Sequence, residues 1–157
     1  MKTMRNLIVV AGLLAVLFAS AAAVSTGAGE KPPTVAMKPD IVINDVKVDR
    51  ISSTATADNV RITVILLNAN PITNTGPFKV KLEWNDKPFA AFTQLGSAGV
   101  PNLVNDPSMA AMSITRTFDH TVPKGKTFTY RATADFMNQV DEANESNNVE
   151  IEAYTAR

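Results

Sequence analysis

The 157-residue sequence contains no cysteine and a single histidine. Without cysteine there is no disulfide, no thiolate nucleophile and no residue for a lipoprotein anchor. His120 alone cannot build a zinc, iron or copper centre of ordinary composition. Glycine-rich phosphate cradles are missing, since neither G-x-x-x-x-G-K-[ST] nor G-x-G-x-x-G occurs. There is no G-x-S-x-G elbow to present a serine to His120 and its neighbour Asp119. No catalytic residue is therefore expected, and His120, beside a turn, reads as a solvated side chain. An excess of positive charge is also absent, with 15 basic and 15 acidic residues. That balance gives no case for a nucleic-acid partner.

What is present begins with a leader. MKTMRN supplies Lys2 and Arg5, LIVVAGLLAVLFA is an uninterrupted apolar run, and small residues follow in SAAAVSTGAG. A basic start, an apolar middle and an A-x-A-like end predict a secretory signal peptide over 1–23, cleaved after Ala21 or Ala23. The rival reading is a retained anchor, because Leu7 to Val24 is about long enough to cross a bilayer. Cleavage takes two of the 15 basic residues, Lys2 and Arg5, and no acid, leaving 13 against 15. The mature protein is expected to be exported, to the periplasm, the medium or the cell surface, with no membrane partner once cleaved.

Residues 24–38 hold prolines and glycines among small and charged residues and read as a flexible linker. From residue 39 the pattern is β, which makes 39–157 the domain. IVINDVKVD alternates, with a slip at Asn44-Asp45 of the kind a bulge in an edge strand produces. NVRITVILLN places Val60, Ile62, Val64 and Leu66 on one face and becomes apolar on both, which predicts a central strand. FKVKLEWND alternates Phe78, Val80, Leu82 and Trp84 against Lys79, Lys81 and Glu83. PFAAFTQ reads as a short edge strand with Pro88 at its start, and 95–109 as a long loop. SITRTFDHTV, TFTYRATADF and VEIEAYT complete seven strands. One polar face per strand predicts antiparallel sheets packed on one side. The expected fold is all-β, an immunoglobulin-like antiparallel sandwich of about seven strands. Trp84 is expected at its centre, with Phe78, Val64, Phe128 and Tyr130 in the core. Phe89, Phe92 and Tyr154 are the expected exposed aromatics.

Six of the 15 carboxylates fall between Asp135 and Glu152, and no Lys or Arg occurs from Ala132 to Ala156. Calcium requires six to eight hard oxygens, so Asp135, Asp141, Glu142 and Glu145 are candidate ligands. The calcium-loop pattern D-x-[DN]-x-[DN]-G fails at Ala143 and Ser146. Along a strand, Glu150 and Glu152 are expected to point away from the core. The favoured reading gives these acids and amides local work, binding nearby backbone groups. No cofactor is expected, with calcium as the alternative.

VDEANESNNVEIEA resembles the closing signature of the CARDB domain, the cell adhesion related domain found in bacteria. The matching residues are Val140, Glu142, Asn144, Glu145, Asn147 and Asn148, with Asp135 at the end of the preceding strand. Pro39 and Asp40 match that family's opening, and Asn68, Gly76, Pro77 and Phe78 its second and third strands. The resemblance covers about 39–156. The connection after Asn68 is longer than usual, and 95–109 looks like an insertion. The resemblance implies an immunoglobulin-like module of secreted or surface proteins, without catalytic residues, used for adhesion or protein contact. The function expected is a non-catalytic binding module for a protein or glycan, engaged through loops or an edge strand. The alternative is a calcium-stabilised structural or carbohydrate-binding domain built on 135–145.

Overall fold

The computed structural model describes residues 36–70, 72–104 and 113–157. The expected signal peptide, its cleavage sites and linker residues 24–35 lie outside them, as does the 105–109 part of the expected long loop. Seven strands are present: β1 (Ile41–Ser53), β2 (Ala57–Asn68), β3 (Phe78–Asn85), β4 (Thr93–Val100), β5 (Ser113–Pro123), β6 (Thr127–Ala134) and β7 (Val149–Thr155). They form two antiparallel sheets, β1-β2-β5 and β4-β3-β6-β7. This is the immunoglobulin-like sandwich that the alternation predicts.

Strand β2 is central in its sheet, and β1 lies at an edge with a register shift between Ile43 and Asp45. The sequence slip at Asn44-Asp45 is that bulge. Val60, Ile62, Val64 and Leu66 of β2 are fully buried, as are Val80 and Leu82 of β3 and Tyr130 and Ala132 of β6. Each buried aliphatic side chain contributes about 1.5–3 kcal/mol of transfer free energy. Phe78 and Phe128 are buried in the same core.

Several expectations are corrected. The fourth strand is Thr93–Val100 and not PFAAFTQ, so part of the expected loop is strand. Glycine and alanine hide its alternation; Gly96 lies close under Phe118, and an added Cβ would sit 3.2 Å from its Cδ1, so the ring would have to shift slightly. Trp84 is half-buried and not central; it leans on His120 and Phe128, with ring centroids 5.0 and 5.8 Å away. Fully buried Tyr130 sits in the core instead. Glu83 projects outward but is 8% exposed, because Arg131 and Lys81 cover it.

The faces of β7 are the reverse of those expected. Glu150, Glu152 and Tyr154 lie opposite inward-facing Ala132, Tyr130 and Phe128. Val149 and Ile151 lie on the outer face, about half exposed. Tyr154 is drawn inward, and its hydroxyl donates to the buried Asp58 Oδ2 at 2.9 Å. β7 is an edge strand, so Glu150 and Glu152 reach solvent at the rim, where inward-facing charge discourages edge-to-edge aggregation.

The registers give the sandwich two ends. One gathers the start of β1 and the β2–β3, β4–β5 and β6–β7 connections. The other gathers the β1–β2, β3–β4 and β5–β6 connections and the chain after β7.

Candidate functional site

The acidic segment lies between β6 and β7, and its polar side chains are engaged one by one. Asp135, at φ 41, turns the chain out of β6 and accepts the N–H groups of Gln139 and Val140 at 2.9 and 2.8 Å. That places Val140 in the core. Glu142 is buried; its Oε2 accepts the Ile41 N–H at 2.6 Å and its Oε1 accepts the Asn148 amide at 2.9 Å. Glu145 Oε1 accepts the Glu142 N–H at 3.2 Å, and Asn144 Oδ1 accepts the Ser146 N–H and hydroxyl. Asn147 donates to Asp40 Oδ1 at 2.9 Å, and the Ala143 N–H donates to the Pro39 carbonyl. Asp141 pairs with Lys38 at 2.6 Å, both at the surface.

The opening residues Pro39, Asp40 and Ile41 and the closing run 140–148 therefore grip one another. They form a clasp between the start of β1 and the approach to β7. Burial pushes the Glu142 carboxyl up to about 7, and the neighbouring Glu145 and Asp135 charges add to this against its two hydrogen bonds. Both oxygens of Asp135 and of Glu142 are occupied by N–H donors. Among the described residues, no three His, Cys, Asp or Glu side chains are placed to hold a metal ion. The amide oxygens of Asn147 and Asn148 are buried without a partner.

The neighbouring connections join the same end. Asn68 Oδ1 accepts the N–H groups of Asp40 and Asn70, and its amide donates to the Thr73 carbonyl. The Asn70 amide donates to the Lys38 carbonyl. Across to the β4–β5 connection, the Gly76 N–H donates to Asn102 Oδ1 and the Leu103 N–H to Thr75 Oγ1, at 2.8 and 2.9 Å. Each of the four segments at this end presents an exposed apolar side chain: Met37, Ile72, Val104 and Met137, between 44% and 66% exposed. Sequence reasoning missed this grouping, because only the strand registers bring these positions to one end.

The remaining candidates fall elsewhere. His120 is not solvated; it is half-buried between Trp84, Phe128 and Tyr130, with Nδ1 3.1 Å from the Tyr130 hydroxyl. Burial holds its pKa below the usual value. Asp119 is bound by Arg61 through two bonds, at 2.9 and 3.1 Å, so it does not pair with His120. Of the expected exposed aromatics, only Phe89 is wholly exposed. Phe92 lies under the Arg131 guanidinium at 4.1 Å, and Tyr154 is bonded to Asp58.

The chain matches the CARDB family over residues 38–152. It is similar in fold to the CARDB domain of a Pyrococcus furiosus protein, crystallised in complex with di-metal ions. That match has 22% identity and a TM-score of 0.56, covering 76% of this chain and 90% of the other. It is also similar to a domain of a Methanosarcina acetivorans protein described as a cell surface protein, solved in solution. There the identity is 21% and the TM-score 0.55, covering 77% of this chain and 94% of the other. A search of curated protein sequences found no match.

Proposed function

The chain belongs to the CARDB family, and from that membership we propose that it is a non-catalytic binding module of the cell exterior. The observation that carries this reading is the end bearing Met37, Ile72, Val104 and Met137 on segments tied together by side-chain hydrogen bonds. Apolar side chains held on braced loops, with acids at their margin, suit a protein partner. A sugar would call for exposed rings to stack on, and none of these four residues is aromatic. A structural relative described as a cell surface protein supports an exterior location. Among the described residues no helix is long and apolar enough to cross a membrane.

The test is adhesion of the producing cells to a surface coated with residues 36–157. Combining Ile72→Ser, Val104→Ser and Met137→Ser should abolish adhesion while leaving the melting temperature nearly unchanged. Adhesion that survives the three substitutions would refute this assignment of the binding end.

A second reading, a calcium-stabilised structural or carbohydrate-binding domain, draws support from the relative in complex with di-metal ions. The buried, unpartnered amide oxygens of Asn147 and Asn148 support it too. Against it stand the N–H donors already on the carboxylates of Asp135 and Glu142. We favour the structural reading of this segment.

A further inference from the structure

The opposite end of the sandwich has a different chemistry. Lys124 N–H donates to the Thr56 carbonyl, Gly125 N–H to that of Ala156, and Ala156 N–H to that of Lys126, at 3.0, 3.1 and 3.0 Å. Lys126 in turn pairs with Asp86, at the start of the β3–β4 connection, at 2.8 Å. These bonds join the four segments of this end and bring together Arg50, Lys87, Lys124, Lys126 and Arg157. The carboxylates here are Asp86, the exposed Asp49 beside Arg50, and Asp58. Asp58 is fully buried and bonded to Ser53, Tyr154 and the Arg157 N–H, and Lys124 Nζ pairs with its Oδ1 at 4.0 Å. The Arg50 and Arg157 side chains have no hydrogen bond or ion pair among the described residues. With Tyr154 they line an open cleft of about 480 Å³.

Phe89 stands at the same end. The Ala90 N–H donates to the Lys87 carbonyl at 3.2 Å, enclosing Pro88 and Phe89 in a turn. Proline holds φ near −65°, and Phe89 follows at φ 62, the sequence of a type II turn. That position favours glycine, and a phenylalanine there is strained. The ring gains nothing from the fold in return, because it is wholly exposed. Its backbone position and its lack of contacts both indicate that the side chain serves something outside the chain.

We propose that this end docks on an anionic phospholipid bilayer. Phe89 enters the interface, the cations meet headgroup phosphates, and the Arg50–Arg157 cleft receives one of them. A wholly exposed apolar side chain among dispersed cations suits a soft, extended, negatively charged surface. The expectation of no membrane partner rested on cleavage of the leader, and the fold adds a segregation of charge that net charge does not show. Asp40, Asp135, Asp141, Glu142 and Glu145 sit at the far end, so the loop cluster of the proposed binding function faces away from the bilayer.

The test uses residues 36–157, which hold a complete core and whose solved relatives are isolated domains. Sedimentation with phosphatidylcholine vesicles should leave the protein in solution. Vesicles that also contain phosphatidylglycerol should carry it down, less so as salt rises. Phe89→Gly should weaken partition about tenfold and raise the melting temperature by relieving the turn. Lys87→Gln should weaken it about fivefold, whereas Ile72→Ser, at the other end, should not. Equal binding to both vesicle types, unchanged binding by Phe89→Gly, or a lowered melting temperature for that variant would each overturn the proposal. Complete displacement by free glycerol phosphate would overturn it too, by showing a site for a soluble anion. None of these results bears on adhesion through the loop end.

Discussion

The buried carboxylate of Glu142 accepts the backbone N–H of Ile41 at 2.6 Å, across 101 residues of chain. It also accepts the Asn148 amide, so one side chain joins the first strand to the approach to the last. Glu142→Ala leaves the Ile41 N–H and the Asn148 amide without partners in a buried place. We expect a loss of about 1–3 kcal/mol in urea unfolding. Glu142→Gln should cost less than about 1 kcal/mol, because a flipped Asn148 amide can offer its unpartnered Oδ1 to the new NH₂.

Glu142 also sets a pH dependence. Its carboxyl is raised from 4.5 to about 7 in the folded protein, chiefly by burial. The folded state therefore holds this proton more tightly than the unfolded chain does. The resulting stabilisation is complete below pH 4.5 and is lost as the pH rises through about 7. His120 is shifted down by burial and acts in the opposite sense, its contribution being lost as the pH falls below 6.5. Comparing wild type with Glu142→Gln cancels the histidine. The stability difference should move in favour of the variant between pH 4.5 and 7, and a constant difference would contradict the shift.

Arg131 makes a second test of the fold. Its Nε and Nη2 both donate to Glu83 Oε2, at 3.0 and 2.8 Å, while Lys81 meets Oε1 at 3.0 Å. The same guanidinium covers Phe92. Arg131→Ala leaves Glu83 with one partner and uncovers the ring, for an expected loss of about 1–3 kcal/mol. Arg131→Lys should restore only part of it, since an ammonium cannot make both bonds or stack. Denaturant melts of the two variants measure this.

The strands most legible in the sequence were those with one buried face. Val60 through Leu66 and Phe78 through Leu82 announce themselves by alternation, and Asn44-Asp45 announces its bulge. β4 does not, because Gly96 and Gly99 carry no side chain to alternate, and the packing of Phe118 over Gly96 joins positions distant in sequence. On edge strand β7, Val149 and Ile151 face outward because the inward side is claimed by Tyr154 and its bond to Asp58, 96 residues away. The same limit applies to the site. The residues of 135–148 are recognisable as a polar connection, but Ile41, Asp40 and Pro39 as their partners follow only from the topology. Likewise, Ile72, Val104 and Met137 reveal nothing in common until the registers bring them to one end.

The central claim, that the acidic signature is a clasp and not a cation site, is tested most directly by thermal melting in millimolar calcium and in chelator. A ligand that binds only the folded state must raise its stability. We predict coincident melting curves for residues 36–157 in the two conditions. A melting temperature raised by calcium, and no longer raised in Glu142→Gln, would contradict the account.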